Sequence, residues 1–367
     1  MTEPKYLYIK KDIKTKIAED TYPLNTKIPS EAELRAVYKV SRHTIRQAIS
    51  ELVNDGLLIK RQGSGTFVSE TVISSGNMVE KSKTIGVITT YLSNYIFPSI
   101  IRGIESELSN EGYSLMLSST QNNVANEKES LEKMLNQNVD GLIIEPTKSN
   151  LLNPNLSYYL KIAESNIPIV MLHATYEELN APAIALNDVK AGKIATEHLI
   201  ELGHKDIAII TKMDDLQGKN RLKGFISAFY DAKLSFNDDY IIAYDTESKD
   251  DLGTKLGKLL ENMSSPTAFV CYNDQIAISL IHEINKLGKS VPEDFSVVSH
   301  DDSHLSQTLP SVKLTTVQHP KEKLGKAAAK WIIQALENPE FNKKSITFEP
   351  YLIVRNSTRK YKRDQTN

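Results

Sequence analysis

Apolar residues in the first fifty positions recur at the spacing of amphipathic helices, and polar residues that can cap helices stand between them. The apolar positions repeat every three or four residues from Tyr6 to Ile17, which predicts a first helix. Ser30 is followed three positions later by Glu33, the capping-box pattern that begins a second, short helix. Ser41 caps a third helix, whose buried face is predicted to hold Ile45, Ala48, Ile49, Leu52 and Val53.

A hairpin is predicted after these helices. Gly56 ends the third helix, and short strands over residues 57–61 and 66–68 flank the tip Gln62-Gly63-Ser64-Gly65. This order of elements indicates a small α+β winged helix-turn-helix domain, which reads DNA with the first residues of its third helix. The wing needs glycines because its backbone approaches the sugar-phosphate wall closely.

Candidate DNA contacts lie at the start of the third helix. Arg42, Thr44 and Arg46 face away from its buried side, and an arginine can bridge guanine O6 and N7 or clamp a phosphate. Ser30 and the N–H groups that open the second helix can hold a phosphate. The alternative is that the two arginines are ordinary surface charges. For His43, which lies between them, a surface position and a base contact are equally open.

Residues 84–298 alternate between short apolar runs and helical patterns. This alternation predicts βαβ units, in which parallel strands are covered by helices on both faces. The number of strands and two similar halves favour two Rossmann-like lobes over a single sheet. The predicted strands span 84–88, 113–117, 141–144, 169–172, 207–210, 240–243, 268–271 and 295–298.

Polar and aromatic residues follow several of these strands. Ligands bind at the carboxyl ends of the strands in such sheets, so these residues are the candidate ligand contacts. Carboxylates, amides and a guanidinium form paired hydrogen bonds with adjacent hydroxyl groups, which suits a polyhydroxylated ligand. Each residue taken alone is equally an ordinary polar group at a loop end. The set comprises Tyr91, Tyr95, Phe97, Glu145, His173, Arg221, Tyr272, Asn273, Asp274, His300, Asp301 and Asp302.

Composition and charge are consistent with two parts of different character. The 367 residues include 44 Lys+Arg and 46 Asp+Glu, yet residues 1–70 carry a net charge of +3 and the remainder −5. A basic head on an acidic body suits a nucleic-acid-binding module joined to another domain. With one cysteine, no apolar run of membrane-spanning length and no secretory signal at the N-terminus, we expect a cytoplasmic protein without a membrane partner.

The sequence offers little for an enzyme. The run from His300 to His304 could hold a metal or an acid/base pair, but no other histidine cluster supplies a partner at matching spacing. Phosphate-loop, nucleophile-elbow and His-Glu-x-x-His motifs are missing from the sequence. Cys271 ends a predicted core strand, where an inert thiol is expected. We expect no catalytic activity, no cofactor and no metal.

The first seventy residues resemble the DNA-binding domain of GntR-type bacterial regulators. The resemblance rests on Pro29-Ser30-Glu31-x-Glu33-Leu34, Ser41-Arg42-x-Thr44-Ile45-Arg46-x-Ala48, Leu52-x-x-x-Gly56-Leu57 and Gly63-x-Gly65-Thr66-Phe67-Val68. It implies that Arg42, Thr44 and Arg46 contact DNA and that Gln62 and Gly63 belong to the wing.

The remainder resembles the effector domain of LacI-type repressors, which is akin to the type I periplasmic binding proteins. The matching segments are Asp140–Ile144, Ala195–His204, Arg221–Phe225, Tyr272–Ala277, Val297–Asp302 and Leu314–Val317. The resemblance implies that Arg221 and Asp301 contact the effector and that Asn273 lies at the edge of the pocket. It places Phe97, Glu145 and His173 on pocket loops.

A GntR-type head in place of the LacI-type helix-turn-helix and hinge helix resembles the arabinose-responsive repressors of Gram-positive bacteria. The expected domains are residues 1–68 for DNA binding, 69–83 as a linker and 84–367 for sugar binding and dimerisation. The resemblance implies a homodimer that leaves a palindromic operator when it binds L-arabinose. Galactose, ribose or a phosphosugar are the alternative effectors, and a sugar-binding protein or enzyme with another role for the head is the alternative class.

Overall fold

The computed structural model describes residues 4–61, 64–69, 82–93, 96–261 and 266–361. The chain divides into two compact units, residues 1–81 and 82–367. The expected linker, residues 69–83, lies mostly outside the described residues, so its character remains a prediction.

The first unit contains the predicted helices and hairpin. Its helices are α1 (Lys5–Ala18), α2 (Glu31–Tyr38) and α3 (Arg42–Asn54), and its strands are β1 (Leu58–Arg61) and β2 (Gly65–Val68), which pair antiparallel. The capping box is present, since Ser30 Oγ accepts from the Glu33 N–H and the Glu33 carboxylate accepts from the Ser30 N–H at 2.7 Å. Gly56 ends α3 with a φ of +73°, which an L side chain adopts only under strain. The core comprises Ile9, Ile13, Ile28, Leu34, Ile45, Ile49, Leu52 and Leu58.

The second unit begins with strands and helices that build a first lobe. These are β3 (Thr84–Thr89), α4 (Phe97–Asn110), β4 (Ser114–Ser119), α5 (Val124–Asn136), β5 (Gly141–Ile144), α6 (Leu156–Glu164), β6 (Ile169–Leu172) and β7 (Ala183–Leu186). The strands pair in parallel in the order β7-β6-β5-β3-β4. The side chains of β3, β5, β6 and β7 are mostly buried on both faces, as parallel sheets require, whereas those of the edge strand β4 are partly exposed.

A second lobe of the same kind follows. Its elements are α7 (Asp188–Glu201), β8 (Ile207–Lys212), α8 (Leu216–Asp231), β9 (Ile241–Tyr244), α9 (Leu252–Glu261), β10 (Ala268–Cys271), α10 (Asp274–Lys286), β11 (Ser296–Asp301) and β12 (Thr315–Gln318). The strands pair in the order β12-β11-β10-β8-β9, all in parallel.

The end of the chain completes both lobes. Helix α11 (Lys321–Glu337) returns to pack on α4, so closely that a Cβ at Gly103 would lie 2.3 Å from the Glu322 carbonyl oxygen. Strand β13 (Ile346–Phe348) then joins β7 of the first sheet, and β14 (Leu352–Ile353) joins β12 of the second. The chain therefore crosses between the lobes three times, after β7, after β12 and after β13.

The two-lobe α/β prediction is confirmed, and its elements match up to β11 with ends shifted by a few residues. Strand β7, helix α11 and the last three strands are not among the predicted elements. Their omission matters for the site, because all three crossings between the lobes adjoin them.

Candidate functional site

The exposed start of α3 carries the candidate DNA contacts. Arg42, His43 and Arg46 are exposed and Thr44 is half-buried. The Glu31 carboxylate lies 3.3 Å from Arg42 Nε and 3.4 Å from Arg46 Nε, so one acidic group on α2 holds both arginines. Because these contacts engage Nε, the terminal guanidinium N–H groups suit a phosphate or a base edge.

The other candidate DNA contacts are less defined. The Ser30 hydroxyl donates to Glu33 Oε2 at 2.7 Å, so it already serves the cap of α2. At the wing, the Arg61 guanidinium stacks 4.7 Å from the centre of the Phe67 ring. Gln62 and Gly63 lie outside the described residues, and their role remains a prediction.

A cleft of about 560 Å³ lies between the two lobes of the second unit, at the carboxyl ends of their strands. The structure brings five predicted effector contacts to its wall: Phe97, Glu145, Arg221, Asn273 and Asp301. Tyr95, also predicted, lies outside the described residues. The wall further contains Tyr91, Lys212, Asp215, Gln217, Tyr244, Thr246, Lys249, Tyr272, His304 and His319.

Arg221 is a fixed cation on the wall of this cleft. Its side chain is buried; Nε donates to Asp188 Oδ1 at 2.8 Å, and Nη2 lies 3.6 Å from Asp301 Oδ1. Burial opposes the charge of Arg221, but Asp188 and Asp301 raise the pKa of Arg221 overall. Burial raises the pKa of Asp188, although the nearby positive charge of Arg221 acts in the opposite direction. The guanidinium therefore stays charged and oriented, ready to donate to ligand oxygens.

Asp301 sits on a strained turn at the end of β11. Its φ is +98° and that of Asp302 is +44°. Lys321, at the start of α11, donates to the carbonyl oxygens of Asp301 at 2.7 Å and Asp302 at 2.9 Å. Strained backbone of this kind is often found where a side chain must be aimed at a ligand. The crossing after β12 thus supports the turn that carries Asp301.

Glu145 is the corresponding acceptor from the first lobe. One carboxylate oxygen accepts from the Thr90 N–H at 2.8 Å and the Thr90 hydroxyl at 2.5 Å. The other oxygen lies 2.8 Å from His173 Nδ1. His173 is not on the cleft wall: it lies behind Glu145 and makes an edge contact with the Phe97 ring at 6.2 Å. His173 therefore supports Glu145 and does not itself line the cleft, and its predicted contact with the effector stays a prediction.

Lys212 and Asp215 line the opposite wall and were not predicted. Lys212 Nζ lies 2.8 Å from Asp215 and 3.0 Å from Asp214, and the Tyr272 hydroxyl donates to Asp215 at 3.0 Å. Burial opposes the charge of Lys212, yet its two acidic partners raise its pKa overall. The sequence prediction ended β8 at Ile210, two residues too early. With the correct end, Lys212 would have been recognised as a polar residue at the end of a parallel strand.

Asn273 and His319 complete the polar wall. Asn273 caps α10, since its Oδ1 accepts from the Ile276 N–H at 3.0 Å, so its NH₂ group is the part that can donate to a ligand. His319 lies on the crossing after β12, and burial lowers its pKa well below the ordinary value. A neutral imidazole there offers one donor and one acceptor to a hydroxyl group.

Of the histidines and the cysteine considered for chemistry, His300 and Cys271 are buried, whereas His304 is exposed and lines the cleft. His300 Nδ1 lies 2.9 Å from the Cys271 carbonyl oxygen, and burial lowers the pKa of His300 to about 3. Burial also raises the pKa of the Cys271 thiol. Among the residues that the structure describes, no three His, Cys, Asp or Glu side chains are grouped to hold a metal ion. No helix in the same ranges is long and apolar enough to span a membrane.

Comparison with known proteins gives matches for both units. The family model of the bacterial regulatory proteins of the gntR family matches residues 5–68, and that of a periplasmic binding protein-like domain matches residues 196–358. An arabinose metabolism transcriptional repressor of Halalkalibacterium halodurans is 46% identical over 99% of this chain and 99% of its own length. One of Geobacillus stearothermophilus is 45% identical over 98% of each chain. A crystal structure of a LacI family transcriptional regulator from Enterococcus faecium with bound ribose is 26% identical, covers 76% of this chain and 100% of its own, and has a TM-score of 0.66.

Proposed function

This chain belongs to the family of transcriptional repressors that the two arabinose metabolism repressors represent, and we propose that it represses genes of arabinose use and leaves its operator on binding L-arabinose. The observation that carries the proposal is the 46% and 45% identity over nearly the full length, which includes both units at once. Because a repressor of this kind binds chromosomal DNA, we infer that the protein acts in the cytoplasm. Its work is binding, with no catalytic step.

DNA binding is assigned to the start of α3. Arg42 and Arg46 share the Glu31 carboxylate, which holds both side chains near each other while they stay exposed. A single recognition helix reads few base pairs, so we infer a homodimer on a palindromic operator.

Sugar binding is assigned to the cleft. A pentose has hydroxyl groups on both faces of its ring, and the cleft offers acceptors and donors from both lobes. Glu145 accepts from the first lobe, while Arg221 donates and Asp301 accepts from the second. The Tyr91 and Phe97 rings supply apolar surface for the C–H face of a sugar. A ligand held by both lobes favours their closed arrangement.

Release from the operator follows if the two lobe arrangements differ in DNA affinity. L-arabinose then shifts the population toward the closed lobes, in which the paired heads fit the operator less well. Linkage requires operator DNA to weaken sugar binding by the same factor. We propose this sign of coupling because the relatives are repressors of arabinose metabolism.

Ribose is the second candidate effector. The ribose operon repressor of Haemophilus influenzae is 30% identical over 89% of this chain, and the Enterococcus structure holds ribose. Ribose and arabinose are both pentoses and differ in the orientation of their hydroxyl groups. A single rearranged hydrogen-bond partner in the cleft is therefore enough to separate them.

The test begins with the full chain and random duplex DNA. Repeated selection should enrich a palindrome, which then serves as the probe for fluorescence anisotropy. L-arabinose should weaken binding to that palindrome, whereas D-ribose, D-xylose and D-galactose should not. Enrichment of no sequence would overturn the DNA assignment, and release by ribose alone would replace arabinose as the effector.

A pair of variants ties the result to α3. Arg42→Ala with Arg46→Ala should abolish operator binding and leave the calorimetric affinity for the sugar unchanged. Lys14→Ala, which removes one exposed positive charge from α1, serves as the control and should keep operator binding. Retained binding by the double variant would contradict the role of α3.

A further inference from the structure

The two lobes also touch outside the ligand wall, through a set of polar contacts beside the mouth of the cleft. We name this set the interlobe clasp. From the first lobe it contains Asn122, Lys148, Ser149 and Asn150, and from the second Met213, Asp214, Leu216, Thr246 and Glu247.

Asn122 is the centre of the clasp. It is 2% exposed, and its Nδ2 donates to Asp214 Oδ2 at 3.2 Å and to Thr246 Oγ1 at 2.7 Å. Its Oδ1 accepts from the Lys148 N–H at 2.8 Å, which fixes the amide orientation. A buried amide with all these partners loses them when the lobes separate, and water must then replace them.

Backbone groups extend the contact around this centre. Ser149 Oγ accepts from the Leu216 N–H at 2.8 Å, one of the donors in the first turn of α8 that have no partner within the helix. Asn150 N–H donates to the Asp214 carbonyl at 3.2 Å, and Asn150 Nδ2 donates to the Met213 carbonyl at 2.8 Å. Lys148 and Glu247 add an ion pair at the rim.

The clasp is joined to the ligand wall through Asp214 and Thr246. Asp214 is 3% exposed, and its other oxygen lies 3.0 Å from Nζ of Lys212, which lines the cleft. Thr246 also lines the cleft and donates to Asp214 through its hydroxyl at 2.5 Å. One carboxylate therefore contacts both a ligand-wall cation and the opposite lobe.

We propose that Asn122 and Asp214 are positioning residues that couple occupation of the cleft to closure of the lobes. This inference rests on the proposed function, because it takes the cleft to bind a sugar. A ligand that orients Lys212 and Thr246 holds the Asp214 carboxylate where Asn122 meets it. Asn122 and Asp214, which do not line the cleft, then slow the departure of the sugar without touching it.

Asn122→Asp tests the clasp with almost no change of shape. Aspartate tolerates the φ of +53° at this position and still accepts from Lys148, but it loses both donors and faces Asp214 with a like charge. Asn110→Asp is the matched control, because it adds the same charge at an exposed position at the end of α4. Ser149→Ala is a second, milder variant in case Asn122→Asp does not fold.

Two measurements on the full chain separate the clasp from the sugar assignment. Stopped-flow titration with L-arabinose gives association and dissociation rates. Electron-spin distances between labels on Leu152→Cys and Tyr230→Cys report lobe separation without a ligand. Both positions are more than 70% exposed, Cys271 is buried away from the label, and dilution with unlabelled chain isolates distances within one chain.

Loss of one hydrogen bond to a charged group changes an equilibrium constant by about tenfold or more, and here we expect the change in the rate of sugar dissociation. We expect Asn122→Asp to raise the sugar dissociation rate by about that factor, to leave association unchanged and to lengthen the label distance. Ser149→Ala should change both in the same direction by less. Unchanged dissociation and distance would overturn the clasp. If the unmodified chain binds no arabinose, the effector assignment fails. The clasp is still tested in that case, because an unchanged label distance in Asn122→Asp without sugar would overturn it.

Discussion

Replacing Glu145 with glutamine gives the sharpest test of the sugar cleft, because it removes a charge and keeps the volume. The oxygen that accepts two hydrogen bonds from Thr90 can be matched by the oxygen of an amide. The other oxygen faces His173, whose tautomer can change to meet an NH₂ group. Glu145→Gln should therefore fold normally and lose only the anionic acceptor that the cleft presents to the ligand.

The size of the effect follows from that acceptor. Glu145 is 7% exposed, so water cannot readily replace its contact with a ligand hydroxyl. A hydrogen bond to a charged group contributes about 1.5–3 kcal/mol, which corresponds to about 10- to 150-fold in affinity. We expect Glu145→Gln to weaken L-arabinose binding by that factor in calorimetry and to leave operator affinity unchanged.

The control for this experiment is Glu105→Gln, an exposed position on α4 with the same change of charge. It should bind sugar as the unmodified chain does. If Glu145→Gln binds L-arabinose within twofold of the unmodified chain, Glu145 is not a ligand contact, and the assignment of the first-lobe wall is refuted.

Three further outcomes are expected. Arg221→Ala leaves buried carboxylates without their cation, so the free energy of unfolding should fall by about 3–5 kcal/mol in urea denaturation; an unchanged midpoint would contradict the ion-pair geometry. Ser30→Ala removes the cap of α2 and should destabilise this helix by about 1 kcal/mol, so its amides should exchange hydrogen about fivefold faster. Equal exchange rates in the variant and the unmodified chain would argue against the cap. Burial raises the pKa of Asp274 from 3.8 to about 6, so the folded state binds this proton more tightly than the unfolded state. The stability of the chain relative to Asp274→Asn should therefore decline as pH rises between those values, and parallel pH profiles would count against it.

Much of the cleft could be predicted because its geometry follows a local rule. Phe97, Glu145, Arg221, Asn273 and Asp301 all stand near strand ends, and parallel strands bring those ends to one edge. The same rule cannot tell which of two neighbouring residues faces the ligand. His173 ends a strand as Glu145 does, yet it lies behind Glu145.

Other parts depend on distant pairings that local patterns do not record. Strands β13 and β14 are two or three residues long, and only their partners β7 and β12 define them. His319 enters the cleft because the chain crosses between lobes at that point. The interlobe clasp likewise needs both lobes in place, since Asn122 and Asp214 are 92 residues apart in sequence.

The three crossings between the lobes set an order in which the protein matures during synthesis. The DNA-binding head has all its elements once residue 68 has been made, but the first sheet of the effector lobes lacks its last strand until residue 348. The intervening 280 or so residues take roughly 15–55 s at about 5–20 residues per second. A nascent chain thus holds every element of the head well before it holds every strand around the cleft, so the head can fold while the cleft is still incomplete.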